Sequence, residues 1–408
     1  MSARRTAILL LAAHILSMLG FATFSALLPE LRDLWQLTNS EAGLVGSAFF
    51  IGYIGTVSYW TALTDRTDGR RVYLAGGVLS AAGSLGFGLL AQGLASAMFF
   101  HALLGAGVAA TYMPGLRLLS DRVSGPAQSR AIAFYTSFFG IGIALSLVLA
   151  GAAAAAWGWR APFLLGAIGP AAAALLVTLG LERVPRAHAP AQPFSFATLF
   201  PVSAWKRVLA IRPATGYTLG YTAHCVELFG SRAWMVAFLA FSAGLQAGGD
   251  RFPWSATAIA AAVNLAAVPA SILGNEMALR IGRRPWILVA MLASGTGGIA
   301  LALAAPLHWA IVLALLTAYS MFVMADSATL TAGLVASAPA ELRGAAMGLY
   351  SLAGFAGGML GPTLFGVALD LAGGAGRGLA WAWAYAAIGA GCLAAPLVVR
   401  LFGGRRAA

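Results

Sequence analysis

Lys, Arg, Asp and Glu all but vanish from this 408-residue chain over one stretch after another of about 20 residues, and that pattern limits its fold more than any other feature. As helix, about 20 apolar residues cross a hydrocarbon core about 30 Å thick. Within lipid every backbone N–H and C=O must be satisfied by the protein itself, so only helices and closed barrels span. Barrel strands alternate in polarity, and runs such as 290–305 and 144–156 do not. Of all residues 60% are hydrophobic and 9% charged, whereas a soluble domain carries about 25% charged residues. The chain reads as an all-α membrane protein.

Polar and Gly/Pro clusters divide it into twelve expected transmembrane helices: 7–28, 42–63, 72–92, 96–118, 130–155, 161–181, 214–243, 254–279, 286–305, 308–336, 344–371 and 379–401. This gives an N-terminal six-helix bundle over 1–181, a linker over 182–213 and a C-terminal six-helix bundle over 214–408. The linker holds Arg183, Arg186, His188, Lys206, Arg207 and Arg212 with five prolines, and reads as non-helical. Arg4 and Arg5 precede an apolar run that is followed by further spans, so that run is a first helix and not a cleaved signal.

The net charge of +12 is a topology signal. With the N-terminus inside, the inner loops collect Arg66, Arg70, Arg71, Arg122, Arg130, the linker cations, Arg280, Arg283, Arg284, Arg343, Arg405 and Arg406, against Arg32, Arg160, Arg251 and Arg377 outside. That is the positive-inside bias, satisfied by an even helix count with both termini cytoplasmic. It implies a lipid bilayer as partner and no nucleic acid. Cys225 and Cys392 lie in apolar segments and read as space-filling thiols, with no metal or disulfide.

The halves repeat. Gly69-Arg70-Arg71 follows the second span and Gly282-Arg283-Arg284 the eighth; Arg130 opens the fifth span and Arg343 the eleventh, each at an offset of 213. Repeats of this parallel kind place a solute site near the midplane between the halves.

The loop Asp65-Arg66-Thr67-Asp68-Gly69-Arg70-Arg71 is similar to the G-x-L-x-D-R-x-G-R-R signature of the major facilitator superfamily, with one residue inserted and Thr61 at the first glycine position. Its second copy keeps Arg280, Gly282, Arg283 and Arg284 but has Leu279 for the acid. Trp157-Gly158-Trp159-Arg160 with Phe163 resembles the W-G-W-R-x-x-F that enters the sixth helix in that family. The resemblance covers the whole chain and implies twelve transmembrane helices in two pseudo-symmetric six-helix bundles. It also implies a gate latch built from Asp65, Arg66, Gly69, Arg70 and Arg71, with Arg117, Asp121, Arg130, Arg280, Arg283 and Arg284 around it. Two departures bear on function. His101 stands where the family often has an arginine before Gly105 and Gly107, and the fifth span lacks the proline of the drug-antiporter motif at 140–145, which argues against a drug antiporter.

The seventh span buries His224, Glu227 and Arg232 in apolar sequence, where ionisable groups mark solute or ion sites by default. His224 and Glu227 share a helix face, whereas Arg232 lies about 140° round from Glu227, so that pair needs a bend at Gly230. The repeat offset carries Glu227 onto His14 in the first span. The candidate solute contacts are Arg232, Glu227, His14, His224, Tyr112, Tyr221, Asn264 and Asp326, and the candidate proton groups Glu227, His101 and His14. For each the competing structural reading is packing or a buried pair.

No G-x-x-x-x-G-K-[ST] loop is present to hold ATP phosphates, which favours a secondary transporter driven by an ion gradient, proton before sodium. The expectation is a monomeric transporter in a bacterial-type inner membrane, working by alternating access on a small organic or inorganic anion, without catalysis or cofactor. An efflux pump for amphipathic compounds is the alternative. From a different class, a membrane haem protein would use His14, His101 and His224 as axial ligands.

Overall fold

The computed structural model describes residues 3–124, 126–183, 199–248 and 251–398. The helices are α1 (Ala3–Ser17), α2 (Thr23–Leu34), α3 (Asn39–Arg66), α4 (Gly69–Leu90), α5 (Leu94–Ser120), α6 (Pro126–Trp157) and α7 (Arg160–Gly180). They continue as α8 (Val202–Leu209), α9 (Arg212–Leu245), α10 (Ala256–Ile281), α11 (Arg283–Leu303), α12 (Trp309–Ala325), α13 (Ser327–Ser337), α14 (Arg343–Leu371), α15 (Gly378–Leu393) and α16 (Ala395–Val398). No strand occurs among the described residues.

Among the described residues, eleven spans are apolar stretches long enough to cross a membrane. The twelfth is the first in sequence, where α1 and α2 are parted by the turn 18–22; this span is broken where hydropathy alone suggests one helix over 7–28. The tenth span is broken too, between α12 and α13, with Asp326 as the single residue at the joint.

The chain forms two compact units, Met1–Trp35 with Ala48–Phe200, and Gln36–Ser47 with Pro201–Ala408. The first turns of α3 thus cluster with the second unit. They are held there by Asp370 of α14, whose carboxylate accepts from the backbone N and Nδ2 of Asn39 at 3.2 and 2.7 Å and from the backbone N and Oγ of Ser40 at 2.7 and 2.6 Å. These are helix-start N–H groups with no partner inside α3, which is why a carboxylate suits them.

Part of the expected linker is helical, contrary to the reading of 182–213 as non-helical. α8 buries Val208 among Tyr217, Leu334 and Tyr350 while Lys206 and Arg207 stand outside that contact, so an apolar anchor outweighs the local charge. Arg186, His188 and the tail's Arg405 and Arg406 lie outside the described residues.

Close backbone approach explains the glycines of the fourth span. A Cβ on Gly105 of α5 would run into the Phe49 carbonyl, and one on Gly107 into the Ser80 backbone. Gly105→Val is therefore expected to cost about 1–3 kcal/mol or more by overpacking, visible as lost monodisperse protein in detergent; an unchanged elution profile and melting point would contradict the contact.

Candidate functional site

The break in the tenth span organises the second unit. A helix interrupted at Asp326 frees backbone and side-chain groups of three successive residues, and neighbouring helices take each one. Met324 Sδ receives Arg232 Nη2 of α9 at 3.5 Å. The Ala325 carbonyl accepts Trp286 Nε1 of α11 at 2.9 Å. Asp326 Oδ1 lies 2.7 Å from His224 Nδ1 of α9, both side chains 3% exposed or less. That contact is close but off the line of a well-directed hydrogen bond, which leaves Asp326 Oδ1 without one. Gly274 of α10 sits against the Ala325 carbonyl, leaving no room for a side chain at the joint.

His224 and Arg232 are eight residues apart on α9, about two turns, so one helix grips the break on both sides. Between them Glu227 is buried, and its Oε2 accepts Ser294 Oγ of α11 at 2.7 Å. Glu227 and Arg232 do not pair. α9 stays helical through Gly230, where an added Cβ would meet Ile388 and the Gly361 carbonyl. Among the described residues no carboxylate reaches ion-pair distance of Arg232.

Tyr221 stacks on Tyr350 at 3.9 Å between ring centroids and on His224 at 5.6 Å, extending the cluster. Asn264 of α10 donates to the Ala260 carbonyl at 2.8 Å and lines the same small void as Arg232. Five expected solute residues, Tyr221, His224, Glu227, Arg232 and Asp326, thus gather along α9 and its neighbours, with Asn264 at the Arg232 end.

The other candidates belong to the first unit. His14 is fully buried, stacked on Tyr135 at 4.2 Å with Tyr112 at 5.3 Å, and neither ring nitrogen has a hydrogen-bond partner. His101 is ringed by Phe24, Phe49 and Phe87 at 5.4–6.1 Å. Among the described residues no group of three or more His, Cys, Asp and Glu is placed to hold a metal ion.

In the loop after α3, the side chain of Asp65 lies outside the described residues. Asp68 caps α4: its carboxylate accepts the Arg70 backbone N at 3.0 Å and pairs with Arg70 Nη2 at 2.7 Å, while Arg70 Nη1 donates to the Leu181 carbonyl at 2.6 Å. Arg117 stands 3.9 Å from Asp121 and reaches Thr64 Oγ1 at 3.4 Å. Arg66, Arg71, Arg130, Arg280 and Arg284 are exposed, Arg283 is half-buried, and Gly69 packs under Leu118. Burial opposes ionisation of Asp68, but the Arg70 hydrogen bonds and the charges of Arg70 and Arg122 outweigh it and hold this carboxyl below its usual value. A depressed folded value stabilises above the unfolded Asp range, near about pH 4, and the gain is lost as pH falls through the folded value. Asp68→Ala is expected to cost about 1 kcal/mol at neutral pH and less in acid. Equal melting-point losses at both pH values would contradict the cap.

Ser294, Met324, Trp286 and Asp68 are the partners that sequence reasoning missed. Asp68 alone carried a signal, as an Asp directly before a Gly that opens a helix.

Twelve membrane spans in two units, with ionisable groups buried inside them, define a polytopic membrane transport protein. The chain belongs to the Major Facilitator Superfamily, whose sequence profile matches residues 10–362 and 252–408. Its fold is similar to that of a bacterial homologue of the human lysosomal transporter Spinster in an inward-facing, unoccupied conformation, at 16% identity, TM-score 0.76, covering 98% of this chain and 97% of that one. It is also similar to the POT family transporter PepTSo, at 12% identity, TM-score 0.75, covering 98% of each chain. A point mutant of the nucleoside transporter NupG matches at 16% identity and TM-score 0.72, covering 97% of this chain and 99% of that one.

Proposed function

We propose that this chain is a secondary active transporter that moves a small anion by alternating access, coupled to protons, in a bacterial-type inner membrane with both termini and the 182–213 segment on the cytoplasmic side. The observation that carries the anion is Arg232, a cation in a membrane span with no carboxylate against it, beside two carboxylates that already have partners. A charge in such a place is stable only if something of opposite sign answers it. Glu227 is the group assigned to take and release the proton, because it is buried and hydrogen-bonded by a neutral hydroxyl where a structural carboxylate would face a cation. His14, without partners on either ring nitrogen, is the first unit's contribution to solute or proton binding. The Asp68–Arg70 loop and its arginines serve as the latch.

The test is a melting-point screen of purified protein against chloride, phosphate, sulfate, succinate, sugars, amino acids and amphipathic amines. Anions alone should raise the melting point, and Arg232→Gln should abolish the rise. A response to amphipathic amines with none to anions would favour the efflux reading instead. For topology, a cysteine at position 192 should be labelled from the cytoplasmic side only; labelling from the periplasm alone would contradict the orientation.

A further inference from the structure

Next to the half-buried Arg232 the second unit has a narrow, partly open pocket of about 10 Å³ between α9, α10 and α12. A space of that size holds one particle about as large as a water molecule. Its polar lining is Ser231, Arg232, Asn264 and Ser320, and the rest is aliphatic or thioether.

The lining carries one positive charge and no negative one. A guanidinium carries five N–H donors and no acceptor, and Arg232 Nη2 meets only the weakly accepting Met324 sulfur. The Asn264 amide nitrogen donates to the Ala260 carbonyl at 2.8 Å, and toward a second sulfur, Met235 Sδ, at 3.7 Å. Ser320 Oγ is buried with no hydrogen-bond partner. Ser231 Oγ spends its proton on the Leu228 carbonyl at 3.1 Å. Arg232 and Ser320 therefore face one small space in which the guanidinium meets only a sulfur and the hydroxyl meets no partner. A water molecule would leave the guanidinium charge unanswered, and a cation would be repelled by it.

We propose that this void is a halide site, filled by chloride, with Arg232 as its counter-charge and Ser320 and Asn264 as its neutral donors. The assignment rests on the reading of Arg232 as the anion anchor and narrows it. The anion seated there is monatomic, because a halide, somewhat larger than water, needs only a small outward shift of the lining, whereas a phosphate or a carboxylate-bearing solute needs the aliphatic wall displaced. Chloride as transported cargo and chloride as a fixed co-ion share this chemistry.

The experiment uses the full chain purified in detergent and held in sodium gluconate, whose anion is too large for the void. Sodium chloride or sodium bromide is titrated in at constant ionic strength while the melting point is followed. Both halides should stabilise saturably, with apparent affinity falling about tenfold or more in Arg232→Gln and by a smaller factor in Ser320→Ala. Ser320→Ala leaves every charge in place and keeps the test decisive where Arg232→Gln folds poorly. If phosphate and succinate stabilise through Arg232 while halides do no more than gluconate, the halide assignment is overturned and the anchor stands. If no anion depends on Arg232, both fall. Radiolabelled chloride uptake into proteoliposomes then assigns a confirmed site: uptake makes chloride cargo, and binding without uptake makes it a co-ion.

Discussion

Asp326→Ala is expected to lower stability by about 3–5 kcal/mol, because it removes one partner of a buried pair and leaves His224 stranded at the joint of the tenth span. The loss is a matter of pairing more than of side-chain volume. A double variant, His224→Phe with Asp326→Leu, replaces both partners by apolar groups of similar size and should recover most of the stability lost in the single variant. Unfolding in detergent under matched conditions reads this cycle. If the double variant is as unstable as the two single losses added together, the pair makes no direct contribution, and the break is held instead by Trp286 and Met324.

The second large effect concerns transport. Glu227→Gln keeps the shape of the buried side chain and its contact with Ser294 but cannot cycle a proton. Accumulation driven by a pH gradient should fall to the level of empty vesicles, while exchange of labelled for unlabelled solute at equal pH continues. An unaltered accumulation ratio would make Glu227 a structural partner of Ser294 and move the proton role to His224 and Asp326.

Much of the architecture was legible in the sequence because the bilayer imposes it. Span lengths, the loop cations and the 213-residue repeat follow from the thickness and electrostatics of a membrane, and the fold carries them all. The two broken spans were not legible. The turn at 18–22 contains Gly20, but a chain with 50 glycines, most of them inside its spans, gives that one no distinction. The joint at Asp326 lies between Ala325 and Ser327, without a proline or glycine beside it, and is held by tertiary contacts instead.

For the site, burial was readable and pairing was not. Hydropathy places His224, Glu227, Arg232 and Asp326 in apolar sequence, and helical spacing says that Arg232 points away from Glu227. Which neighbouring helix answers each group depends on how α9 packs against α11 and α12. That is why Ser294 and Met324, ordinary residues in sequence, turn out to be the partners. In the same way the sequence did not single out Asp68, whose carboxylate holds Arg70.

The joint at Asp326 ties these groups together. Arg232 and His224 hold nearby residues of the tenth span from one helix, so an anion drawn to Arg232 competes with its Met324 contact two residues from the Asp326 carboxylate.

Coupling of proton movement to anion movement through Glu227 and Arg232 is the central claim, and solute-evoked proton flux tests it most directly. Proteoliposomes carrying a trapped pH-sensitive dye are given chloride, phosphate or succinate from outside, with wild type, Glu227→Gln and Arg232→Gln at matched abundance. The account predicts a change of internal pH with at least one of these anions in wild type, and the empty-vesicle baseline in both variants. A wild-type response that Glu227→Gln reproduces in full would contradict it.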